Sequence, residues 1–406
     1  MYSNKSLAII SVIITIGILA ISPSLSVLTS SILIPTSGRI SSIGSLHVEG
    51  RHIKDDYGNT VFLRGVNYYG YNFDPYGDWN APGDPRPHRR MGTWDDSRPK
   101  AHYEELRDVW GGNAMRWTLA IEYWLENTDN HRYWVRRGIE LAQEYGIYII
   151  LAPWRVQGGA DWDNDPLPFP PYTHTGASII ANEQAFIDFW VSVATELKDL
   201  PNWIIDPYNE PHMVTTASHD TDRAAWFDVI SRLINEVRAI TDHIILVQWM
   251  EGVWYGGYNN MNRWLDDFIN YLEIRNTTRN IVISTHNYHD AYTYWGYPQA
   301  RPNNMEQLLQ DYTVAGLTYA ATEIDYPLLI GEIGANDEST GEEWVQEKIW
   351  YNNTLSLYNE WGLSYIGWMW ASPRESGRVF TLWADGDWIP PPSEEGLILI
   401  DAIRRG

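Results

Sequence analysis

The stretch WIIDPYNE at positions 203–210 is a β-rich apolar run that ends in an amide and a carboxylate, Asn209 and Glu210. Its first residues suit a buried strand, because Trp and Ile favour a pleated sheet. Asn209 and Pro211 are ordinary turn formers, so a simple strand end is one interpretation. A catalytic carboxylate held at the edge of a sheet is the other, and the rest of the chain must decide between them.

Seven other segments repeat this pattern of a short apolar run with a polar or aromatic ending. The eight predicted strands are FLRGVN (62–67), NAMRWT (113–118), IYIILAP (147–153), WIIDPYNE (203–210), HIILVQW (243–249), IVISTH (281–286), PLLIGE (327–332) and SYIGWMW (364–370). Segments with 3.6-residue periodicity lie between them, for example at 131–146 and 183–199. Apolar strands that alternate with amphipathic helices indicate a parallel sheet covered on both faces.

Eight such units predict an α/β fold, a (β/α)8 TIM barrel with long βα loops. A doubly wound open sheet is the alternative, but no glycine-rich phosphate-binding fingerprint follows the first strand. The preceding segment LHVEGRHIKDDYGNTVFL (46–63) predicts an N-terminal β-hairpin with its turn at 56–59. We expect this hairpin to cap the bottom of the barrel.

The N-terminal segment has the composition of an export signal. Lys5 precedes an apolar run from Leu7 to Ile21, and no further charge occurs before Arg39. The short run is typical of a secretory signal, and an uncleaved membrane anchor is the alternative. We therefore expect a signal sequence or anchor with a short linker over 1–40, and a single catalytic domain over 41–406. The expected localisation is extracellular, either secreted or anchored to the cell surface.

The composition narrows the classes of partner. A formal net charge of −23 repels nucleic acid phosphates, so we expect no nucleic-acid partner. The chain has no cysteine, which excludes disulfides, thiolate nucleophiles and cysteine-based metal sites. It has 22 Trp but only 8 Phe. Tryptophan suits flat ligand faces such as sugar rings, with simple core packing as the alternative.

The predicted strands end in charged, amide and aromatic residues that can take part in catalysis or binding. In a (β/α)8 barrel the active site lies at the C-terminal ends of the strands. Buried charges are costly unless they are paired, so packing of the core does not explain charged residues at these positions. The candidates at these ends are Asn67, Arg116, Trp154, Asn209, Glu210, Gln248, His286, Tyr288, Glu332, Trp368 and Trp370.

Two glutamates at one rim suit the hydrolysis of a glycosidic bond. One carboxylic acid must protonate the leaving oxygen, and one ionised carboxylate must attack the anomeric carbon. Their pKa values must therefore be pushed apart by their surroundings. A fixed cation such as Arg116 beside Glu332 would keep that carboxylate ionised. Glu210, flanked by apolar and aromatic residues, would hold a proton more readily.

Five motifs of the chain resemble those of a known family. The motifs LRGVN (63–67), Asn113–Arg116, YNEPH (208–212), HNYHD (286–290) and LIGEIG (329–334) are similar, in order and spacing, to those of glycoside hydrolase family 5. The resemblance covers roughly residues 46–400. It implies a retaining enzyme that needs no cofactor and no metal.

The resemblance assigns roles to the two carboxylates and their neighbours. Glu210 resembles the acid/base of the family and Glu332 its nucleophile. Asn209 resembles the amide that reads the sugar 2-hydroxyl. Arg116 and Tyr288 resemble the partners of the nucleophile.

The remaining candidates support the substrate. His286 resembles the histidine near the acid/base, and Trp368 or Trp370 resembles the tryptophan beneath the sugar at the cleavage point, with Trp368 preferred. Asn67 and Trp154 are expected to take part in substrate binding or to support residues that do.

One stretch departs from the family pattern. Many members end the third strand with a histidine, whereas this chain reads LAPWRVQGG (151–159). Trp154 followed by two glycines is similar to a motif of some family mannanases. We therefore expect a secreted retaining endo-β-1,4-glucanase, a cellulase, with endo-β-1,4-mannanase as the alternative and an inactive carbohydrate-binding barrel as a third possibility. The expected partner is a β-linked polysaccharide, and the expected oligomeric state is a monomer.

Overall fold

The computed structural model describes residues 43–68, 94–127, 130–154, 183–209, 219–248, 261–288, 304–314, 316–335, 341–370 and 392–406. The chain divides into two units, 1–38 and 39–406, and every described residue lies in the second. The predicted signal or anchor segment lies outside the described residues, so that assignment and the domain boundary stay predictions. Within the described part of the chain, no helix is long and apolar enough to cross a membrane.

Eight parallel strands form a closed barrel. Each pairs with the next along the chain, and the last pairs with the first to complete the ring. Because all eight predicted strands are present, the predicted (β/α)8 TIM barrel is confirmed. The barrel strands are β3 (Arg64–Tyr68), β4 (Ala114–Ala120), β5 (Tyr148–Trp154), β6 (Trp203–Ile205), β7 (Ile245–Gln248), β8 (Ile281–Tyr288), β9 (Leu328–Gly334) and β10 (Ser364–Gly367).

Helices lie between the strands, as the periodicity predicts. Gly146 ends the third helix with a φ of 76°, in the left-handed region that glycine adopts without strain. The described helices are α1 (Ser97–Glu104), which continues as a π-helix over Glu105–Trp110, α2 (Ile121–Glu126), α3 (His131–Tyr145), α4 (Glu183–Leu197), α5 (His219–Arg238), α6 (Met261–Ile274), α7 (Met305–Val314), α8 (Leu317–Thr322), α9 (Glu342–Glu360) and α10 (Glu394–Arg405).

Alternate residues of each barrel strand face opposite sides of the sheet. On β5, Ile149 and Leu151 pack in the layer between strands and helices, whereas Ile150 faces the barrel interior. Side chains therefore fill the N-terminal half of the barrel, which is a packed core and not a pore. The interior residues include Ala114, Tyr148, Ile150, Ile204, Ile244, Leu246, Val282, Leu329 and Ile366.

The predicted N-terminal hairpin is present. It consists of β1 (Leu46–Glu49) and β2 (His52–Asp55), which pair antiparallel. Leu46 and Ile53 pack against the interior cluster of the barrel. The hairpin therefore covers the N-terminal end of the barrel and keeps water from its apolar interior.

The predicted position of the hairpin turn is wrong. The chain reverses at Gly50 and Arg51, where Gly50 supplies a φ of 53° of the kind that two-residue hairpin turns need. A turn does occur at 56–59, but it leads only to a single bridge between Lys54 and Thr60. The two turn signals are close in sequence, and only pairing with a second strand distinguishes them.

One buried histidine at the start of α3 makes the fold sensitive to acid. His131 is only 2 % exposed, and its ring packs edge-on against Tyr123 at 5.7 Å. Burial lowers the pKa of His131 from 6.5 to about 3. Below pH 6.5 the unfolded chain therefore binds a proton that the folded chain excludes, and stability is lost as the pH falls from 6.5 towards 3.

Replacing this histidine with phenylalanine should reduce the acid sensitivity. Between pH 7 and pH 4.5, His131→Phe should gain about 2–3 kcal/mol in unfolding free energy relative to the wild type, since each pH unit below 6.5 costs the wild type about 1.4 kcal/mol. Urea unfolding of both proteins at several pH values measures this. A difference in unfolding free energy that stays constant with pH would contradict the assignment.

Candidate active site

The interior face of the barrel changes from apolar to polar towards the C-terminal ends of the strands. Two residues after the apolar interior positions of β4, β6 and β7 come Arg116, Asp206 and Gln248. All three side chains are almost fully buried. The site therefore lies directly on the apolar core that fills the barrel, as expected for this fold.

Arg116 lies at the centre of the site and is 1 % exposed. Its Nε donates to Asp206 Oδ2 at 2.8 Å and its Nη1 to Glu332 Oε1 at 2.7 Å. Burial alone would lower the pKa of Arg116, but the charges of Asp206 and Glu332 more than offset this and raise it above its usual value. Arg116 is therefore a permanent cation shared by two buried carboxylates.

The same guanidinium group orients two asparagines. Nη1 donates to Asn67 Oδ1 at 3.0 Å and Nη2 donates to Asn209 Oδ1 at 2.8 Å. Because arginine only donates, the atom of each amide that faces it must be the oxygen. This leaves the Asn209 amino group as the atom that can donate to a substrate hydroxyl.

Asn67 is buried among groups of the barrel itself. It is 2 % exposed, and its amide nitrogen donates to the carbonyl of Gly331 at 2.9 Å and lies near those of Ile366 and Gly367 at 3.4 and 3.3 Å. Of the two roles predicted for Asn67, substrate binding or support, the geometry favours support. Asn67 links Arg116 to the strands where the barrel closes.

An extra residue in β9 turns Glu332 towards the site. The pairing of β8 with β9 shifts at this point, so that Thr285 faces Ile330 but His286 faces Glu332. Gly331 is therefore a bulge residue. Without the bulge, the period of two from the interior residue Leu329 would direct Glu332 towards the helices. Bulges commonly redirect a side chain next to an active site.

Glu332 is surrounded by groups that stabilise its ionised form. It is 2 % exposed, and the Tyr288 hydroxyl donates to its Oε2, while Arg116 holds its Oε1. His286 Nδ1 lies 3.4 Å from Oε2. Arg116 and Tyr288, the predicted partners of Glu332, therefore do contact it, and hydrogen bonds to a carboxylate favour its charged form. The role of Glu332 as nucleophile stays a prediction.

His286 lies against the predicted nucleophile. Burial, with a smaller contribution from Arg116, lowers its pKa to about 4, although the charge of Glu332 opposes this. The ring is therefore neutral near pH 7. Its other nitrogen, Nε2, lies 3.3 Å from Gln248 Nε2. The predicted proximity of His286 to the acid/base involves Glu210, which lies outside the described residues.

Asp206 is a buried site residue that we did not single out from the sequence. It is fully buried, and Gln248 Nε2 lies 3.4 and 3.5 Å from its two oxygens. The signal was present, because the period of two from Ile204 places Asp206 on the interior face. The strand-end pattern, in contrast, predicts site residues at Asn209 and Glu210.

The two tryptophans after β10 occupy different surroundings. Trp370 is 1 % exposed and stacks on Trp110 with ring centroids 5.3 Å apart. Trp368 is only half-buried. The geometry therefore favours Trp368 for the predicted contact with the sugar and places Trp370 in the core. The side chain of Trp154 and the whole of Glu210 lie outside the described residues, so their predicted roles stay predictions.

A closed (β/α)8 barrel with a buried carboxylate and an arginine at its C-terminal rim belongs to the class of barrel enzymes. The chain matches the model of the cellulase family, glycosyl hydrolase family 5, over residues 79–373. It therefore belongs to glycosyl hydrolase family 5 and is a glycoside hydrolase, as the motifs predict.

Individual relatives are distant. Endoglucanase A of Butyrivibrio fibrisolvens is 24 % identical over 385 residues, which cover 90 % of this chain and 70 % of that protein. The hyperthermophilic endocellulase of Pyrococcus horikoshii is 21 % identical with a TM-score of 0.63, over 89 % of this chain and 99 % of that one. The catalytic domain of a mannanase from Streptomyces sp. SirexAA-E is 19 % identical with a TM-score of 0.55, over 91 % and 93 %. The two structures support the fold.

The central role of Arg116 can be tested by a change that keeps its charge. Lysine cannot donate to four separate acceptors from one nitrogen. Arg116→Lys should therefore lower the unfolding free energy by about 2–4 kcal/mol, because charged hydrogen bonds are lost in a buried site. It should also abolish most hydrolytic activity. Urea unfolding and a reducing-sugar assay measure the two effects.

Arg136→Lys is the matched control, because Arg136 pairs with the exposed residue Asp199 on the surface. Exposed pairs contribute about 1 kcal/mol or less, so this variant should stay close to the wild type. Equal losses of stability in both variants would contradict the special role of Arg116.

Proposed function

We propose that the protein is an exported, retaining endo-β-1,4-glucanase. The observation that carries this proposal is the environment of Glu332, a buried carboxylate that Arg116 and Tyr288 hold by both oxygens. An ionised carboxylate fixed in this way is the group that a double displacement needs as its nucleophile. Glu210 directly follows Asn209, which Arg116 anchors at the same rim.

In the first step Glu332 attacks the anomeric carbon, and the bond from that carbon to the leaving oxygen breaks. Glu210 gives its proton to the leaving oxygen, so that the new chain end departs as an alcohol. The product is a covalent glycosyl ester of Glu332. Arg116 balances charge at Glu332 throughout, and the amino group of Asn209 donates to the 2-hydroxyl as positive charge develops on the ring.

In the second step water replaces Glu332. Glu210, now ionised, removes a proton from the water as the oxygen bonds to the anomeric carbon, and Glu332 leaves as a carboxylate. Two inversions give net retention. For this route the two carboxyl groups should lie about 5–5.5 Å apart.

The choice of glucan rests on the sequence relative, whose name is endoglucanase. The stretch 151–159 and the missing histidine after the third barrel strand favour mannan as a second candidate. Glucose and mannose units differ at C2, so the contact from Asn209 would meet the two sugars differently. Export rests on the apolar N-terminal segment, and a single catalytic domain acting as a monomer on a polysaccharide is part of the same proposal.

Purified protein should release reducing sugar from carboxymethyl-cellulose and lichenan faster than from β-mannan, with glucomannan in between. Glu332→Gln removes the attacking charge while keeping the shape, so its activity should fall below detection on every substrate. The assay compares initial rates at equal mass concentration of each polysaccharide.

The outcomes separate the alternatives. A preference for β-mannan would replace glucanase by mannanase, with the same catalytic residues. Near-normal activity of Glu332→Gln would contradict the mechanism itself. A protein that binds these polysaccharides but hydrolyses none would be a carbohydrate-binding barrel.

A further inference from the structure

Five buried side chains of the site form a closed ring of polar contacts. Arg116 contacts Asp206 at 2.8 Å, and Gln248 Nε2 lies 3.4 Å from Asp206 Oδ1. Gln248 Nε2 is 3.3 Å from His286 Nε2, and His286 Nδ1 is 3.4 Å from Glu332. Arg116 completes the ring to Glu332 at 2.7 Å. The ring thus has two routes from Asp206 to Glu332, one through Arg116 and one through Gln248 and His286.

The direction of each contact in the second route follows from Asp206. A carboxylate accepts hydrogen bonds, and Arg116 Nε already donates to Asp206 Oδ2. Gln248 must therefore present its amino group to Asp206, because its carbonyl oxygen would be repelled there. The same amino group then faces His286 Nε2.

This arrangement decides which nitrogen of His286 carries the proton. A neutral imidazole has one donor and one acceptor nitrogen, and burial keeps His286 neutral, with a pKa of about 4. Nε2 accepts from Gln248, so the proton belongs on Nδ1. Glu332 consequently faces an N–H group and not a lone pair, which would repel the carboxylate.

We propose that Asp206 is a positioning residue for hydrolysis: through Gln248 it holds the proton of His286 on Nδ1, the ring nitrogen that faces Glu332. Asp206 itself does not touch the substrate or the reacting atoms. This inference rests on the proposed role of Glu332 as nucleophile, and it extends the site to two residues, Asp206 and Gln248, that act through others.

Asp206→Asn should reverse the direction of the hydrogen bonds that run from residue 206 through Gln248 to His286. The amide oxygen would replace the carboxylate oxygen that accepts from Arg116 Nε, which places the amide NH2 opposite Gln248. Gln248 would then turn its carbonyl oxygen towards that NH2 and towards His286 Nε2. The proton of His286 would move to Nε2, and a lone pair on Nδ1 would face Glu332.

The test uses nitrogen NMR of protein labelled with ¹⁵N-histidine, because the shifts of the two ring nitrogens identify the protonated one. His286→Gln identifies the signals of His286 by difference. In the wild type at pH 7 we expect the Nδ1–H form, and in Asp206→Asn the Nε2–H form. With soluble glucan, kcat of Asp206→Asn should fall about 10- to 100-fold, as for a misaligned reacting group, with KM little changed.

Glu347→Gln is the matched control, since it also removes a fully buried carboxylate but lies on α9, outside the barrel. It should leave kcat and the His286 signals unchanged, even if stability falls. An Nε2–H or doubly protonated His286 in the wild type would overturn the proposal, even if Asp206→Asn does not fold. So would an unchanged His286 form or an unchanged kcat in Asp206→Asn.

Failure of the proposed function would give a different pattern. A wild-type protein without glycanase activity would refute the glucanase assignment, while the NMR spectrum would still report the protonation of His286.

Discussion

The structure of this site depends on one buried cation. Arg116 has no access to water to compensate for its charge, so its stability in the barrel requires acceptors on every side. Asn67 on β3, Glu332 on β9, and Asp206 and Asn209 in the segment that follows β6 provide them. A single planar group thereby fixes the relative positions of four side chains, which is the kind of geometry that arginine provides and lysine does not.

The rest of the barrel makes this possible. Its N-terminal half is filled by apolar side chains and covered by the hairpin, so the polar residues of the site lie directly against a packed apolar core. In such an environment charge interactions are stronger than in water, and a misplaced partner is correspondingly costly. Burial also lowers the pKa of His286, so its ring stays neutral. A wrongly oriented Gln248 amide would be costly for the same reason, because it lies between Asp206 and His286.

Much of the fold could be predicted from the sequence, because it depends on local patterns. Apolar runs such as 147–153 and the amphipathic segment at 131–146 specify strands and helices that pack in only a few ways. The motif at 329–334 indicated the carboxylate of Glu332. What the patterns could not indicate is the bulge at Gly331, since it depends on how β8 and β9 align and not on residue type.

Two errors of detail have a similar origin. The sequence predicts the hairpin turn at 56–59, although the chain reverses at Gly50, because both sites have turn residues and only strand pairing distinguishes them. Local patterns do not indicate Asp206, because its partners Arg116 and Gln248 lie 90 and 42 positions away in the sequence, on other strands. Local periodicity cannot predict which buried charged residues pair when they are far apart in the sequence.

In the proposed mechanism, the carboxylate held by Arg116 is the group that bonds to the sugar. A 2-deoxy-2-fluoro-cellobioside with a good leaving group tests it directly, because fluorine slows both steps and the leaving group restores only the first. Mass spectrometry of the intact protein should show the addition of one fluorinated glycosyl unit, and peptide sequencing should place it on Glu332. A label on any other residue, or no label on a protein that hydrolyses glucan with inversion, would contradict the mechanism.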